Sequence, residues 1–224
     1  MFIEIEDLCF RYPNAPKAVI QDFSVTIEHG EVICILGESG GGKSTVLRLV
    51  AGLEIPSKGR IKINEITMVD QSVFVPPEKR GVGMVFQDYA LFPHMTVSEN
   101  IRFGLKKMNN KEKDFRINQM LDLVNLGDYG KRYPYELSGG QQQRVAIART
   151  LAPKPSLLLL DEPFSNLDTE LRSKIREEIN IILKQTSITV IFVTHDKEDA
   201  KAMADRIVIL KEGKIVEIVD SILF

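Results

Sequence analysis

Three apolar, β-rich runs stand out along the chain: Glu31-Val32-Ile33-Cys34-Ile35-Leu36, Leu157-Leu158-Leu159-Leu160, and Ile188-Thr189-Val190-Ile191-Phe192-Val193-Thr194. Short continuous apolar runs of this kind predict buried parallel strands. Each is followed by polar or glycine residues and then by a helical pattern, the order expected of a doubly wound α/β sheet. Around 2–10, 23–28 and 60–66 hydrophobic and polar positions alternate instead, which predicts a smaller antiparallel sheet near the N-terminus. The stretch 205–218 reads as a closing hairpin that turns at Lys211-Glu212-Gly213-Lys214. Residues 88–156 look mostly helical, most clearly over Lys113–Asn125 and Gln141–Leu151. The expected organisation is one α/β domain, with a core of about 1–87 and 157–224 and an inserted α-helical subdomain of about 88–156.

Composition narrows the partners. A chain of 224 residues is long enough for one sizeable core with a subdomain. A formal net charge of −2 and 29 Lys and Arg spread without a dense basic run give no electrostatic case for nucleic acid. Cys9 and Cys34 are isolated, so neither a disulfide framework nor a structural metal is expected, and Cys34 reads as a small hydrophobe within its strand. The N-terminus, Met1-Phe2-Ile3-Glu4-Ile5-Glu6, alternates like a strand rather than a signal peptide. The longest apolar runs fall short of a membrane span. The expectation is a soluble, cytosolic chain whose membrane role, if it has one, comes through a partner.

Candidate chemistry sits directly behind the strands. Gly37-Glu38-Ser39-Gly40-Gly41-Gly42-Lys43-Ser44 is a full match to the phosphate-loop pattern G-x-x-x-x-G-K-S/T. Tight turns are the ordinary use of such glycines. Here, however, strand, glycine loop and helix (Ser44–Val50) follow in the order that aims backbone N–H groups and a helix dipole at a phosphate. Lys43 can then reach the β and γ phosphates, and the Ser44 hydroxyl can ligate Mg²⁺. Asp161 and Glu162 follow the second apolar run, at the strand end where open α/β sheets bind ligands. Asp161 would hold Mg²⁺ through water, and Glu162 would orient or deprotonate the attacking water; a helix N-cap is the structural alternative. The third run delivers His195 to the same edge, where an imidazole could hydrogen-bond the γ-phosphate or the attacking water. Gln87, after the apolar run Val82–Phe86, could offer a neutral oxygen to Mg²⁺ or water.

A second glycine-rich grip, Leu137-Ser138-Gly139-Gly140-Gln141, stands directly ahead of a helical stretch. Ser138 is a good N-cap there, and its hydroxyl with the N–H groups of Gly139 and Gly140 would make a second anion site. Whether both grips hold one nucleotide within one molecule or between two chains is left open by these residues.

Taken together, the motifs resemble the ATP-binding subunit of an ABC transporter over essentially the whole chain. GESGGGKS resembles its Walker A, Gln87 its Q-loop, LSGGQ its signature, LLLLDE its Walker B, Ser165-Asn166-Leu167-Asp168 its D-loop and His195 its switch histidine, all in the family's order. The resemblance implies a P-loop NTPase core with a mostly parallel sheet, and ATP and Mg²⁺ as cofactors. It makes Gly37 to Thr45 and Ser138 to Gln141 nucleotide-binding, and Ser44, Gln87 and Asp161 the metal ligands. Tyr12 sits where the family stacks an aromatic on adenine, with a plain core or loop aromatic as the alternative. The implied assembly is a homodimer sandwiching two ATP molecules head to tail, peripheral on the inner face of the cell membrane through an integral permease and served indirectly by a substrate-binding protein. ABC ATPases of DNA repair or translation are the alternative branch; they carry coiled-coil insertions, extra domains or fused cassettes that this sequence lacks.

The stretch Pro76–His94 further resembles bacterial importers of ferric iron, polyamines, sulfate, molybdate and sugars. Two departures matter. Gln142 stands where the family commonly has Arg, and the sequence stops at Phe224 where many such importers continue into a β-rich regulatory domain, so regulation by such a domain is not expected here. The loop Asp88–Met95 carries two aromatics, Pro and Met. It either packs inward or receives a short cytoplasmic helix of the permease.

Overall fold

The computed structural model describes residues 1–13, 15–106, 108–167 and 169–224, the side chains of Thr169 and Glu170 excepted. Along the chain these form β1 (Ile3–Phe10), β2 (Ile20–Ile27), β3 (Val32–Leu36), α1 (Lys43–Ala51), β4 (Lys58–Ile63), β5 (Ile66–Val69), β6 (Val82–Val85) and α2 (Val97–Arg102). There follow α3 (Asn110–Leu123), α4 (Gly139–Leu151), β7 (Leu157–Asp161), α5 (Thr169–Thr186), β8 (Thr189–Thr194), α6 (Lys197–Met203), β9 (Arg206–Lys211) and β10 (Lys214–Asp220).

The three apolar runs are neighbours. A six-stranded sheet has the order β10-β9-β3-β8-β7-β6, parallel throughout except at β10. Every residue of β7 and β8 is buried, because helices or a second sheet cover both faces. The side-chain period of two sorts these strands between two cores. Leu157, Leu159, Ile191, Val193, Ile33 and Ile35 pack with α1 and the N-terminal sheet. Leu158, Leu160, Val190 and Phe192 pack on the other face with α4, α5 and α6. That second cluster runs on into α2 and α3 through Val97, Ile101, Met120 and Leu121, so these helices bury their apolar faces in the same core as the sheet.

The N-terminal sheet is antiparallel, with order β2-β1-β4-β5. Its last strand lies beyond the predicted range 60–66, because Asn64 and Glu65, at φ 49° and 63°, turn the chain tightly back on itself. One strand escaped the pattern, and one pairing did. β6 is only four residues long and is weakened by Gly83, yet it pairs in parallel with β7. β9 forms the expected hairpin with β10, but its other edge pairs in parallel with β3, which places it within the core sheet. α3 begins before Lys113, because Asn109 and Glu112 form a reciprocal capping box.

One buried cation ties these layers together. Arg80 is 2% exposed, and its guanidinium donates to the carbonyls of Leu49 and Val50 at 2.9 Å each and of Val75 at 2.7 Å. It thus adds donors to carbonyls at the C-terminal end of α1 and sets a positive charge against the negative end of the helix dipole. Burial pushes its pKa down to about 10, so it stays charged at neutral pH. Arg80→Met should remove these three donated hydrogen bonds and lower the unfolding free energy by about 2–4 kcal/mol, measured by urea denaturation.

Candidate functional site

The phosphate loop spans the six residues between β3 and α1. It is held at one end by the Gly37 N–H on the Thr194 carbonyl. At the other end Gly42 has φ 97°, and a Cβ there would lie 2.9 Å from the Val19 carbonyl oxygen, so this position requires glycine. α1 then begins with no side-chain cap and no acidic residue in its first turn. Its free N–H groups and positive dipole end are therefore available to an anion. Lys43 is 4% exposed, with Nζ 3.0 Å from the Glu38 carbonyl oxygen and 3.6 Å from Glu162 Oε1.

Asp161 and Glu162 divide the roles at the end of β7. The Ser44 hydroxyl donates to Asp161 Oδ1 at 2.6 Å. Burial holds the Asp161 carboxyl above the usual carboxylate range and the Glu162 charge adds to this; Ser44, Arg48 and Lys43 pull it back. Glu162 has φ 44°, a left-handed value uncommon outside glycine. The conformation is fixed by its N–H on the Val193 carbonyl and by Ser165 donating twice to its own carbonyl. The Glu162 carboxylate then bridges Lys43 on one side and His195 on the other, with Oε2 3.0 Å from His195 Nδ1. Neither Asp161 nor Glu162 caps a helix within the described residues.

Beside Lys43 and Glu162 lies a cleft of about 480 Å³, lined chiefly by Tyr12, Gly40, Lys43, Ser44, Gln87 and Glu162, with Val19, Ser39, Gly42 and Thr45 completing the wall. Tyr12 is fixed by its hydroxyl, 3.4 Å from Thr45 Oγ1, and by the edge-on ring of Phe10. Across the loop, Gly37, Glu38, Ser39, Gly41, His195 and Lys197 border a larger cavity of about 740 Å³. Among the described residues no group of three or more His, Cys, Asp or Glu could hold a metal by itself. The Ser44 hydroxyl and Asp161 carboxylate are hard oxygen donors, which fits Mg²⁺ that takes its remaining ligands from phosphate and water.

The second grip lies apart from this cleft. Ser138 caps α4: its hydroxyl accepts the Gln141 N–H at 3.4 Å while Gln141 Oε1 accepts the Ser138 N–H at 3.0 Å. Ser138 and Gly139 are exposed, but Gly140 is buried, and a Cβ on it would collide with Ile175 of α5. Gln142, the departure from the family pattern, donates to the carbonyls of Pro134 and Leu137 and so braces the turn that enters the grip. Of the D-loop, Asn166 reaches the Gln87 carbonyl at 2.7 Å, while Asp168 lies outside the described residues.

A protein-family model described as "ABC transporter" matches residues 20–165. The chain belongs to the ABC transporter family. It is 48% identical over 218 residues to the putrescine transport ATP-binding protein PotG of Escherichia coli, covering 96% of this chain and 56% of that protein. To the Fe(3+) ions import ATP-binding protein FbpC of Photorhabdus laumondii it is 45% identical over 219 residues, covering 97% and 61%. It thus spans a little over half the length of these curated ABC relatives. Among solved structures, the ATP-binding cassette MJ0796, a dimer in a post-hydrolysis state bound to ADP and Pi, superposes with a TM-score of 0.82 at 30% identity over 98% of each chain. The ABC protein cbiO1 of Clostridium perfringens, part of the transporter complex cbiONQ, gives 0.89 at 29% identity, over 98% of this chain and 88% of that one. Among the described residues no helix is long and apolar enough to cross a membrane.

Several residues that organise this ABC cassette carry no sequence signal of their own. Asp199 is fully buried in α6 and accepts from Arg172 at 2.6 Å and Arg176 at 3.1 Å. Arg172 also pairs with Asp196, the N-cap of α6 and neighbour of His195. Gln143, fully buried, donates to the Pro163 carbonyl at 2.6 Å and so links α4 to the loop behind Glu162. Only a polar residue on the buried face of its helix, as at Gln143, could have flagged such contacts.

The raised pKa of Asp161 has a testable sign. In metal-free buffer the folded state binds this proton more tightly than the unfolded chain does. Stability is therefore lost as pH rises from the ordinary aspartate value through the folded-state pKa. Asp161→Asn removes that loss, so in EDTA at neutral pH it should melt higher than wild type, with the gap closing as pH falls through the carboxylate range. Calorimetry across this range checks it.

Proposed function

We propose that this chain binds Mg-ATP in the cleft between Tyr12 and Glu162 and hydrolyses it to drive solute transport, in the import direction, through a separate membrane permease. The observation that carries the reading is the Lys43–Glu162–His195 relay set beside the Ser44–Asp161 pair. Tyr12 offers its ring to the base, and the loop N–H groups with Lys43 bind the phosphates. Ser44, Asp161 and Gln87 would hold Mg²⁺, which would neutralise developing phosphate charge. Glu162 orients a water and takes its proton as the water oxygen bonds to the γ-phosphorus and the bond to the leaving oxygen of ADP breaks. His195 holds the Glu162 carboxylate in place, with Nδ1 3.0 Å from Oε2. Little covalent chemistry is asked of the protein, so positioning and charge dominate.

The exposed Ser138 and Gly139, remote from their own cleft, support a head-to-tail homodimer in which each grip closes on its partner's nucleotide. The relatives' names, with putrescine transport and Fe(3+) import among them, support a transport role. A polyamine or ferric-iron cargo delivered by a substrate-binding protein is the matching expectation. For the permease, the loop after Gln87 splits its residues. Tyr89 packs inward, whereas Phe92 faces outward and joins Met84, Phe86 and Phe103 in lining an open groove of about 560 Å³, the proposed seat of a short permease helix.

Glu162→Gln should retain ATP binding while turnover falls by about 10²–10³-fold, and Lys43→Ala should lose both. Glu162→Gln protein should also form an ATP-dependent dimer in size-exclusion chromatography. Adding Gly139→Asp should abolish that dimer by setting a carboxylate against the partner's γ-phosphate. Gly139 suits this test because its Cβ would meet Leu167 at an ordinary 3.4 Å, whereas any side chain at Gly140 would disturb α5. An ATP-locked dimer in the double variant would overturn the head-to-tail arrangement.

Phe103 is 51% exposed, so Phe103→Ser should cost the isolated chain little stability. It should reduce co-purification with the co-expressed permease about tenfold, a loss of roughly 1.4 kcal/mol. Unchanged co-purification would place the contact elsewhere.

A further inference from the structure

The turn that follows Gln87 is held from two sides by side chains that lie outside the nucleotide cleft. The Gln87 carbonyl accepts from Asn166, in the segment between Glu162 and α5, at 2.7 Å. Two residues further on, the carbonyls of Tyr89 and Ala90 accept from the two terminal nitrogens of one guanidinium, that of Arg149, at 2.9 and 2.6 Å. Tyr89 and Ala90 are consecutive left-handed residues, at φ 62° and 46°. Such a conformation is unfavourable for non-glycine residues and persists only where the surroundings impose it. The face of the same guanidinium lies over the Phe92 ring, 5.5 Å from its centroid. Burial lowers the Arg149 pKa against the opposing charge of Asp88, so this cation is desolvated and directed at carbonyl dipoles.

The position of Arg149 gives these contacts their meaning. It belongs to α4, whose first turn is the Ser138–Gln141 grip. The segment that holds the Gln87 carbonyl also abuts that grip, since a Cβ on Gly139 would touch Leu167 at 3.4 Å and the Asn166 carbonyl at 4.0 Å. Gln87, the segment behind Glu162 and the signature helix therefore form a closed set of contacts, with Arg149 fastening one side.

We propose that Arg149 is a positioning residue for the ATP site: its two-pronged grip on Tyr89 and Ala90 locks the Gln87 turn to α4, so that Gln87 and the Ser138–Gln141 grip move as one body. The proposal rests on the reading of Gln87 and the signature as nucleotide ligands. A lysine keeps the charge but offers a point donor rather than a planar fork, and cannot hold both carbonyls in this geometry. An error of about 1 Å in a ligand's position costs roughly 10²-fold in rate, without loss of the groups that bind the rest of the nucleotide.

The test separates positioning from general stability. Arg149→Lys should lower kcat about tenfold or more while the KM for ATP stays within about twofold, and amide exchange over Asp88–Phe92 should accelerate about tenfold. Ala90→Val acts from the other side, at an exposed position, with Arg149 intact. A β-branched residue resists the left-handed conformation, so this variant should reproduce both effects, whereas Ala90→Gly should rescue them. Two outcomes would overturn the proposal: kcat and exchange unchanged in Arg149→Lys and Ala90→Val, or KM and kcat failing in parallel. If wild type hydrolyses no ATP, the functional reading above fails instead, and the exchange measurement on Arg149→Lys and Ala90→Val alone decides whether Arg149 holds the turn.

Discussion

The parallel registration of β3, β8 and β7 is the constraint from which the site follows. Leu36 pairs with Thr194, and Asp161 with Val193, so the three strands end together. What each strand releases at that edge is a different chemical group: the phosphate loop after β3, the Asp161 and Glu162 carboxylates at β7, and His195 after β8. A shift of one residue between these strands would exchange core-facing and opposite-facing side chains and part Glu162 from both Lys43 and His195. The leucines of β7, fully buried on both faces, make such a shift prohibitively costly.

Charge is placed inside this fold only where something answers it. Arg80 faces helix-end carbonyls, Asp199 faces two arginines, and Lys43 faces the Glu38 carbonyl and the Glu162 carboxylate. Burial nevertheless raises the pKa of both carboxylates, Asp161 and Asp199, above that of a free aspartate. Of the two, Asp161 bonds the Ser44 hydroxyl that lines the cleft, where a bound cation would relieve that cost.

Much of this was legible in the residues. The apolar runs gave three of the five parallel strands, and the glycine loop, LSGGQ, Asp161-Glu162 and His195 were all placed where the structure has them. β6 was obscure because four residues interrupted by Gly83 carry too little period to read. β9 was half-read, because a strand with one antiparallel and one parallel neighbour has the same sequence pattern as a hairpin arm. The contacts of Arg149, Arg80 and Asn166 were invisible for a different reason. Their partners are backbone carbonyls, most of them 30 to 79 residues away, and a carbonyl has no residue identity for a pattern to register.

The collision of any Gly140 side chain with Ile175 bears on how a signature motif is interpreted. In this cassette the second glycine of LSGGQ is favoured by the seam between two helices of the same chain, whether or not a nucleotide ever touches it. A lineage that gave up ATP turnover but kept the fold would still have to displace the Ile175 side chain to replace that glycine. Its presence testifies to helix packing, as that of Ser138 does to the cap of α4, whereas Gly139, which no internal neighbour compels, is the letter of the motif free to report on selection for binding.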